Sequence, residues 1–200
     1  MLFLTSAWSS TKAHQHAWEL VKQENGIQVY TRSLAGSSYK GFKAELEIKA
    51  NIEELLAFIK NASYCPSWRY KCLKMLNLSD GYIYKLSSLP WPFSNRYTVM
   101  SSDTQFDSKH NRYTVHLKNI PRQLLPEKIR QQLPDPEGSL QMRYSDGYWQ
   151  FQVSPANDSV RIRYQMHGDA GAELPTELTR RGIVNAAFIT LDNLKQHFMR

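Results

Sequence analysis

The chain has 200 residues, 42% of them apolar and 22% charged, the balance of an ordinary globular protein of one domain with a sizeable core. No apolar run approaches the ~18 residues that a membrane-spanning helix needs, which excludes a transmembrane helix. The net charge of +7 is compatible with nucleic acid, anionic lipid or acidic partners, but the basic residues are spread along the chain, as on a solvated surface.

Residues 1–17 open with the apolar "MLFLTSAW" and continue through the polar "SSTKAHQHA". Without a charged leader or an A-x-A site, this stretch reads as a tail or a signal-peptide remnant. The domain then spans residues 18–200, and a periplasmic or secreted location is favoured over a cytoplasmic one. His14 and His16 alone do not make a metal site. "WELVKQENGIQVYTRSL" predicts a short helix, a turn at Asn25-Gly26 and a strand from Ile27. "YKGFKAELEIKA" alternates Phe42, Ala44, Leu46 and Ile48 with Lys43, Glu45, Glu47 and Lys49, a strand with one buried face. "NIEELLAFIKNA" predicts a helix capped by Asn51, with Glu54 completing a capping box and Pro66 ending it. Trp68 beyond it is a core anchor. Cys65 and Cys72 in "CPSWRYKC" match no zinc or redox spacing. They either close a small disulfide loop in an oxidising compartment or stay as two buried thiols.

"CLKMLNLSDGYIYKLSSL" predicts a hairpin folded at Asp80-Gly81. In "SSLPWPFSNRYTV" Pro90 and Pro92 keep Trp91 out of a regular ladder, Phe93 follows, and Arg96 opens a strand that runs to Phe106. These rings either turn inward as a plug of the core edge or meet something apolar. "RYTVHLKNI" pairs back after a turn around Ser108 to Asn111, and "SLQMRYSDGYWQFQV" predicts another hairpin, turned at Asp146-Gly147. "SVRIRYQMHGD" alternates Val160, Ile162, Tyr164 and Met166 with polar neighbours. In "PTELTRRGIVNAAFITLDNLKQHF" Ile183, Ala187, Leu191, Leu194 and Phe198 form one helical stripe, broadened by Val184 and Phe188.

The order of elements is that of an α+β fold, a curved antiparallel sheet covered by one long C-terminal helix over an apolar cavity. Tyr84, Tyr113, Trp149 and Met166 lie on strands expected to line that cavity, and Val184, Phe188 and Leu191 face it from the helix. His116 and His167 are structural histidines. The sequence has no G-x-S-x-G elbow, P-loop or H-E-x-x-H, no isolated carboxylate pair and no Lys/Arg stripe for nucleic acid. No cofactor or metal is expected.

Taken together, "SWRYKCLKML", "LPWPFSNRYTV", "SDGYWQF" and "GAELPTELTRRGIVNAAFITLDNLK", in this order between about Trp18 and Phe198, resemble a StAR-related lipid-transfer (START) domain of the bacterial type. The resemblance implies a helix-grip fold, in which a bent sheet grips the terminal helix over an apolar tunnel, and non-enzymatic binding of a single lipid. Ser87 to Asn95 becomes the loop at the tunnel mouth, with Trp91 and Phe93 as its gate. Arg96 there either neutralises a lipid head group or bonds loop carbonyls as a hinge. Arg180, Arg181, Lys118, Arg122, Lys128 and Arg130 add positive charge around it. The expected partners are a lipid or other hydrophobic small molecule and, transiently, a membrane surface, for a monomer that binds no nucleic acid.

Three positions depart from the family pattern. Tyr97 stands where an acidic residue usually follows the loop arginine. Lys85 and Ser102 stand where sterol-binding members keep a buried acid and arginine, so the ligand stays open. Related cyclases and hydratases make a cavity enzyme, using a histidine or tyrosine on a hydrophobic small molecule, the alternative.

Overall fold

The structure, a computed structural model, describes residues 17–35, 37, 39–154, 158–171 and 174–199. The tail or signal-remnant reading, with His14 and His16, falls outside the described residues except for Ala17. Two strands, β1 (Glu19–Glu24) and β2 (Ile27–Arg32), lead into β3 (Gly41–Lys49), α1 (Ile52–Lys60) and a single turn, α2 (Cys65–Trp68). Then come β4 (Cys72–Asn77), β5 (Tyr82–Ser87), β6 (Arg96–Asp107), β7 (Arg112–Asn119) and a second single turn, α3 (Glu127–Arg130). The short β8 (Leu140–Gln141), β9 (Tyr144–Ser154), β10 (Ser159–Asp169) and the long α4 (Thr176–Phe198) complete the chain.

The strands form one curved sheet in the order β1-β2-β3-β10-β9-β7-β6-β5-β4, antiparallel throughout, and β8 joins β6 in parallel. Consecutive strands joined by tight turns explain most of this order. Asn25 and Gly26 (φ 52° and 76°) fold β1 onto β2, and Asp80 and Gly81 (φ 57° and 74°) fold β4 onto β5. The β1–β2 turn and the α2 segment hold α4 from two sides. At one end Asn25 Nδ2 donates to Asp192 (3.1 Å) and Lys195 Nζ to the Asn25 carbonyl (2.6 Å). At the other, the Tyr70 amide donates to Thr190 Oγ1 and Asn193 Nδ2 to the Trp68 carbonyl, both at 3.1 Å. This is the α+β helix-grip architecture expected from the order of elements.

Alternation decides which side chains reach the core between sheet and helix. Val160, Ile162, Tyr164 and Met166 of β10 and Phe42, Ala44, Leu46 and Ile48 of β3 are buried there with Ala187, Leu191 and Leu194 of α4. Trp68, on α2, is 2% exposed, the core anchor its sequence position predicts. On the opposite face of the sheet, α3 and the segment before it cover a second cluster of Tyr84, Tyr97, Val99, Leu125 and Ile129. Cys65 and Cys72 are joined by a disulfide that ties α2 to the start of β4.

Three local expectations are corrected. The segment predicted as a short helix before Asn25 is β1, because pairing with β2 outweighs a weak helical preference. Asn61, not Pro66, ends α1: its carbonyl-bonded amide closes the helix, its Oδ1 accepts from Ser63, and Pro66 instead starts α2. Asp146-Gly147 is no hairpin turn. β9 runs through it unbroken, paired with β10 and β7, and Asp146 Oδ1 accepts the Asn119 amide of β7 at 2.8 Å. The capping role of Asn51 holds, its Oδ1 accepting from Glu53 and Glu54.

Candidate functional site

A cavity of about 390 Å³ lies between the first half of α4 and the concave face of the sheet. That volume falls within the roughly 300–1,000 Å³ of small-molecule sites. Phe42 of β3 and Tyr164 and Met166 of β10 form its apolar floor, and Leu178, Ile183 and Ala186 its roof. The space exists because α4 seats only one of its stripes. Ala187, Phe188, Leu191 and Leu194 are pressed onto the core, whereas Leu178, Gly182, Asn185 and Ala186, spaced by four, three and one along the neighbouring stripe, face the void. A Cβ built on Gly182 meets nothing within 4 Å.

The polar side of the cavity is cationic. Lys40, Lys71, Lys85 and Arg181 line it, and no Asp or Glu does among the described residues. Lys40 pairs with Glu19 (3.5 Å) and Arg181 with Glu177 (2.5 Å), both near the surface. Lys85 is half-buried and lines the cavity. Burial, and then the neighbouring Arg69 guanidinium, hold its ammonium well below the usual lysine range, at about 8. Arg69 lies behind the lining, its Cζ 4.6 Å from the centre of the Trp68 ring and 5.4 Å from that of Trp149. Burial lowers its pKa too, and its Nε is buried without a hydrogen-bond partner. Burial likewise pushes the Tyr164 hydroxyl up, an effect that nearby Arg69 opposes.

Of the residues expected to line the cavity, Met166 does. Tyr84 is corrected: it is 2% exposed on the opposite face, stacked on Tyr97 at 5.7 Å. Adjacent strand residues point oppositely, so β5 turns either Tyr84 or Lys85 inward, and Lys85 is the one. Trp149 is one layer back, stacked on Tyr164 at 3.8 Å, and Tyr113 packs on Phe106 at 4.5 Å away from the lining. Val184, Phe188 and Leu191 are corrected as well. They belong to the stripe that seats α4 in the core, with Lys22 Nζ 3.7 Å over the Phe188 ring, not to the stripe over the void. Sequence reasoning missed Gly182, Asn185 and Arg69. The one signal for the first two is a run of small or polar residues, Gly182, Asn185 and Ala186, beside an apolar stripe.

Ser87, Ser88 and Leu89 carry the cavity wall out to its rim, two residues before Trp91. The Trp91 side chain is 92% exposed, which rules out the core-plug reading for that ring, while Phe93 is half-buried. Arg96 is buried and bonds loop carbonyls, the contact that its second expected role requires. It is 4% exposed, and its guanidinium donates to the carbonyls of Ser94 (2.5 Å), Ala170 (2.6 Å) and Gly171 (3.3 Å). It thereby staples the aromatic loop to the segment that leads into α4. Lys128 and Arg130, on α3, sit with the cluster on the far face and pair with Asp80 and Glu127, so they add no charge at this rim. His167 lies outside the cavity in a polar surface depression, its Nε2 2.9 Å from Ser37 Oγ.

No family model matches the chain. An uncharacterised protein of Pseudomonas aeruginosa is 27% identical over 183 residues, 89% of this chain and 85% of that one. The crystal structure of a STAR-related lipid transfer protein fragment from Xanthomonas axonopodis superposes with a TM-score of 0.76 at 27% identity, covering 92% of this chain and 99% of that chain. Human StAR-related lipid transfer protein 5 shares the fold at 15% identity, with a TM-score of 0.72 over 91% of this chain and 86% of that one. With its curved antiparallel sheet and long terminal helix, the chain has the helix-grip fold of StAR-related lipid-transfer domains.

Proposed function

We propose that the chain binds one amphiphilic ligand in the cavity under α4 and carries it to or from membrane surfaces without chemical change. The observation that supports this best is the apolar space that α4 roofs with Gly182 and Ala186 rather than fills. Each methylene moved there from water is worth ~0.8 kcal/mol, so a chain of ordinary length is held without chemistry. Gly182→Phe tests the site. The new ring enters open space and the helix loses a glycine, so the melting temperature should not fall. Binding of a fluorescent single-chain amphiphile by the delipidated protein should drop at least tenfold. Unchanged one-to-one binding by this variant would show that the cavity is not the site.

Membrane contact would use Trp91, an exposed ring stiffened by Pro90 and Pro92 at the cavity rim. Immersing such a ring is worth about 1.5–3 kcal/mol, at least a factor of ten in membrane affinity. Trp91→Ala with Phe93→Ala should slow transfer between vesicles roughly tenfold and leave ligand capacity intact. Transfer at the normal rate would remove the loop from the mechanism. The competing reading, a cavity enzyme, would draw on Tyr164 or His167. His167 is outside the cavity, and conversion of bound amphiphile to a product would be the result in its favour.

A further inference from the structure

Lys85 and Arg69 are cations without an anion. Among the described residues neither takes an ion pair or a hydrogen bond from the protein, although each neighbours the other. A buried charge is normally matched by a counter-charge or by several acceptors, and two like charges side by side need one more than either does alone. Here the Arg69 guanidinium is backed by aromatic rings, and Lys85 opens onto the cavity. Tyr164, on the same floor, and Asn185, on the roof, face the same space with donors that no protein group accepts among the described residues. The lining thus offers several donors and positive charge and no carboxylate. A cationic ligand would be repelled, and a neutral one would leave both charges uncompensated.

We infer that the cavity takes a single-chain amphiphile with an anionic head, a carboxylate or a phosphate, and binds it head-inward against Lys85, with Arg69 behind and the apolar chain running toward the rim. The inference rests on the lipid-binding reading of the cavity. Size agrees with a single chain: at ~30 Å³ for a group the size of water, about 390 Å³ holds roughly a dozen methylene-sized groups. Coulombic pairing at a half-buried ammonium is worth more than at the open surface, and the ligand relieves a repulsion between the two neighbouring cations.

Titration calorimetry on the delipidated full chain, with dodecanoate, dodecyl phosphate and dodecanol below their micellar concentrations, tests it. At least one of the two anions should bind tenfold or more tightly than dodecanol, and the stronger of them identifies the head as carboxylate or phosphate. Lys85→Met should lose that preference and bind the anion no better than the alcohol, whereas Lys85→Arg should keep most of it. Lys128→Ala, which removes a cation on the far face of the sheet, should change the preference less than threefold. Equal affinity of the wild type for dodecanol and the anions, or a preference that survives Lys85→Met, would overturn the head-group assignment while leaving a lipid-binding cavity. If none of the three binds, and the fluorescent amphiphile used with Gly182→Phe does not bind the wild type either, the lipid-binding reading falls as well.

Discussion

Gly147→Ala should destabilise the protein by about 3 kcal/mol or more, a fall of roughly 10 °C in melting temperature. Gly147 sits in mid-strand in β9, opposite Met166 of β10. A Cβ at this position would lie 2.0 Å from the Gln165 carbonyl oxygen, 2.5 Å from Met166 Sδ and 2.8 Å from Met166 Cα. The sulfur can swing away, but the carbonyl and the Cα belong to a paired strand held on both sides by β3 and β9. Relief therefore requires β10 to shift, and β10 carries Tyr164 and Met166 of the cavity floor. The usual benefit of replacing glycine, up to about 1 kcal/mol, is too small to offset this. Gly182→Ala is the internal control: the same methyl group enters open space in a helix, and stability should rise by up to about 1 kcal/mol. Thermal denaturation of both variants checks the pair, and a Gly147→Ala protein that melts with the wild type would show that β9 and β10 are not so closely apposed.

Lys85→Met should do the opposite and stabilise the ligand-free protein at neutral pH. The folded state holds Lys85 at about 8, against an ordinary 10.5. Folding therefore favours the neutral amine, and the protonated form carries a cost. That cost is fully present below pH 8, shrinks as pH rises from 8 to 10.5, and is absent above, where both states are neutral. At about 1.4 kcal/mol for each tenfold change in proton affinity the depression corresponds to roughly 3 kcal/mol, and contact with cavity water trims this to about 2. Methionine fills a similar volume without charge, as when buried ions are replaced by apolar residues. The variant should melt several degrees above the wild type at pH 7, and the gap should close as the pH approaches 10.5. A variant no more stable than the wild type at pH 7 would mean that Lys85 is already compensated in the empty protein. Stability lost to an ammonium without a partner is what a site kept for binding, rather than for folding, would show.

How far the sequence led differs from element to element. The alternation in β3 and β10 and the stripe on α4 are legible because each buried face repeats over many residues, so an error of one position cannot survive. β1 was misread because it is short and at the sheet edge, with Leu20 and Val21 both exposed, so no period declares it a strand. In β5 the aromatic Tyr84 drew attention inward, and only the second apolar cluster, built from distant residues 97–129, shows why a tyrosine is wanted on the other face. The cavity was the least legible part. Apolar stripes mark what is filled, and the void is marked by Gly182, where a side chain is missing. Asp146-Gly147 has the letters of a turn, but glycine serves there for close strand approach, a cause no local pattern reveals. Arg69, between Trp68 and Tyr70, carries no local signal, because its pairing with rings and its lack of an anion are facts of three dimensions.

The two ends of α4 rest on different things, and this makes the helix mechanically uneven. Its last three turns are nailed down by Leu191, Leu194, the bond that Asp192 accepts from Asn25 and those that Asn193 and Lys195 donate. Its first two turns start at Pro175, which has no side-chain acceptor to offer as a cap, pass through Gly182, and bridge a hollow. Fraying is cheapest there, since few packed groups separate from one another when those turns unwind. Unwinding should therefore begin at the cavity wall beside the Trp91 loop, while the anchored half of the same helix stays in place.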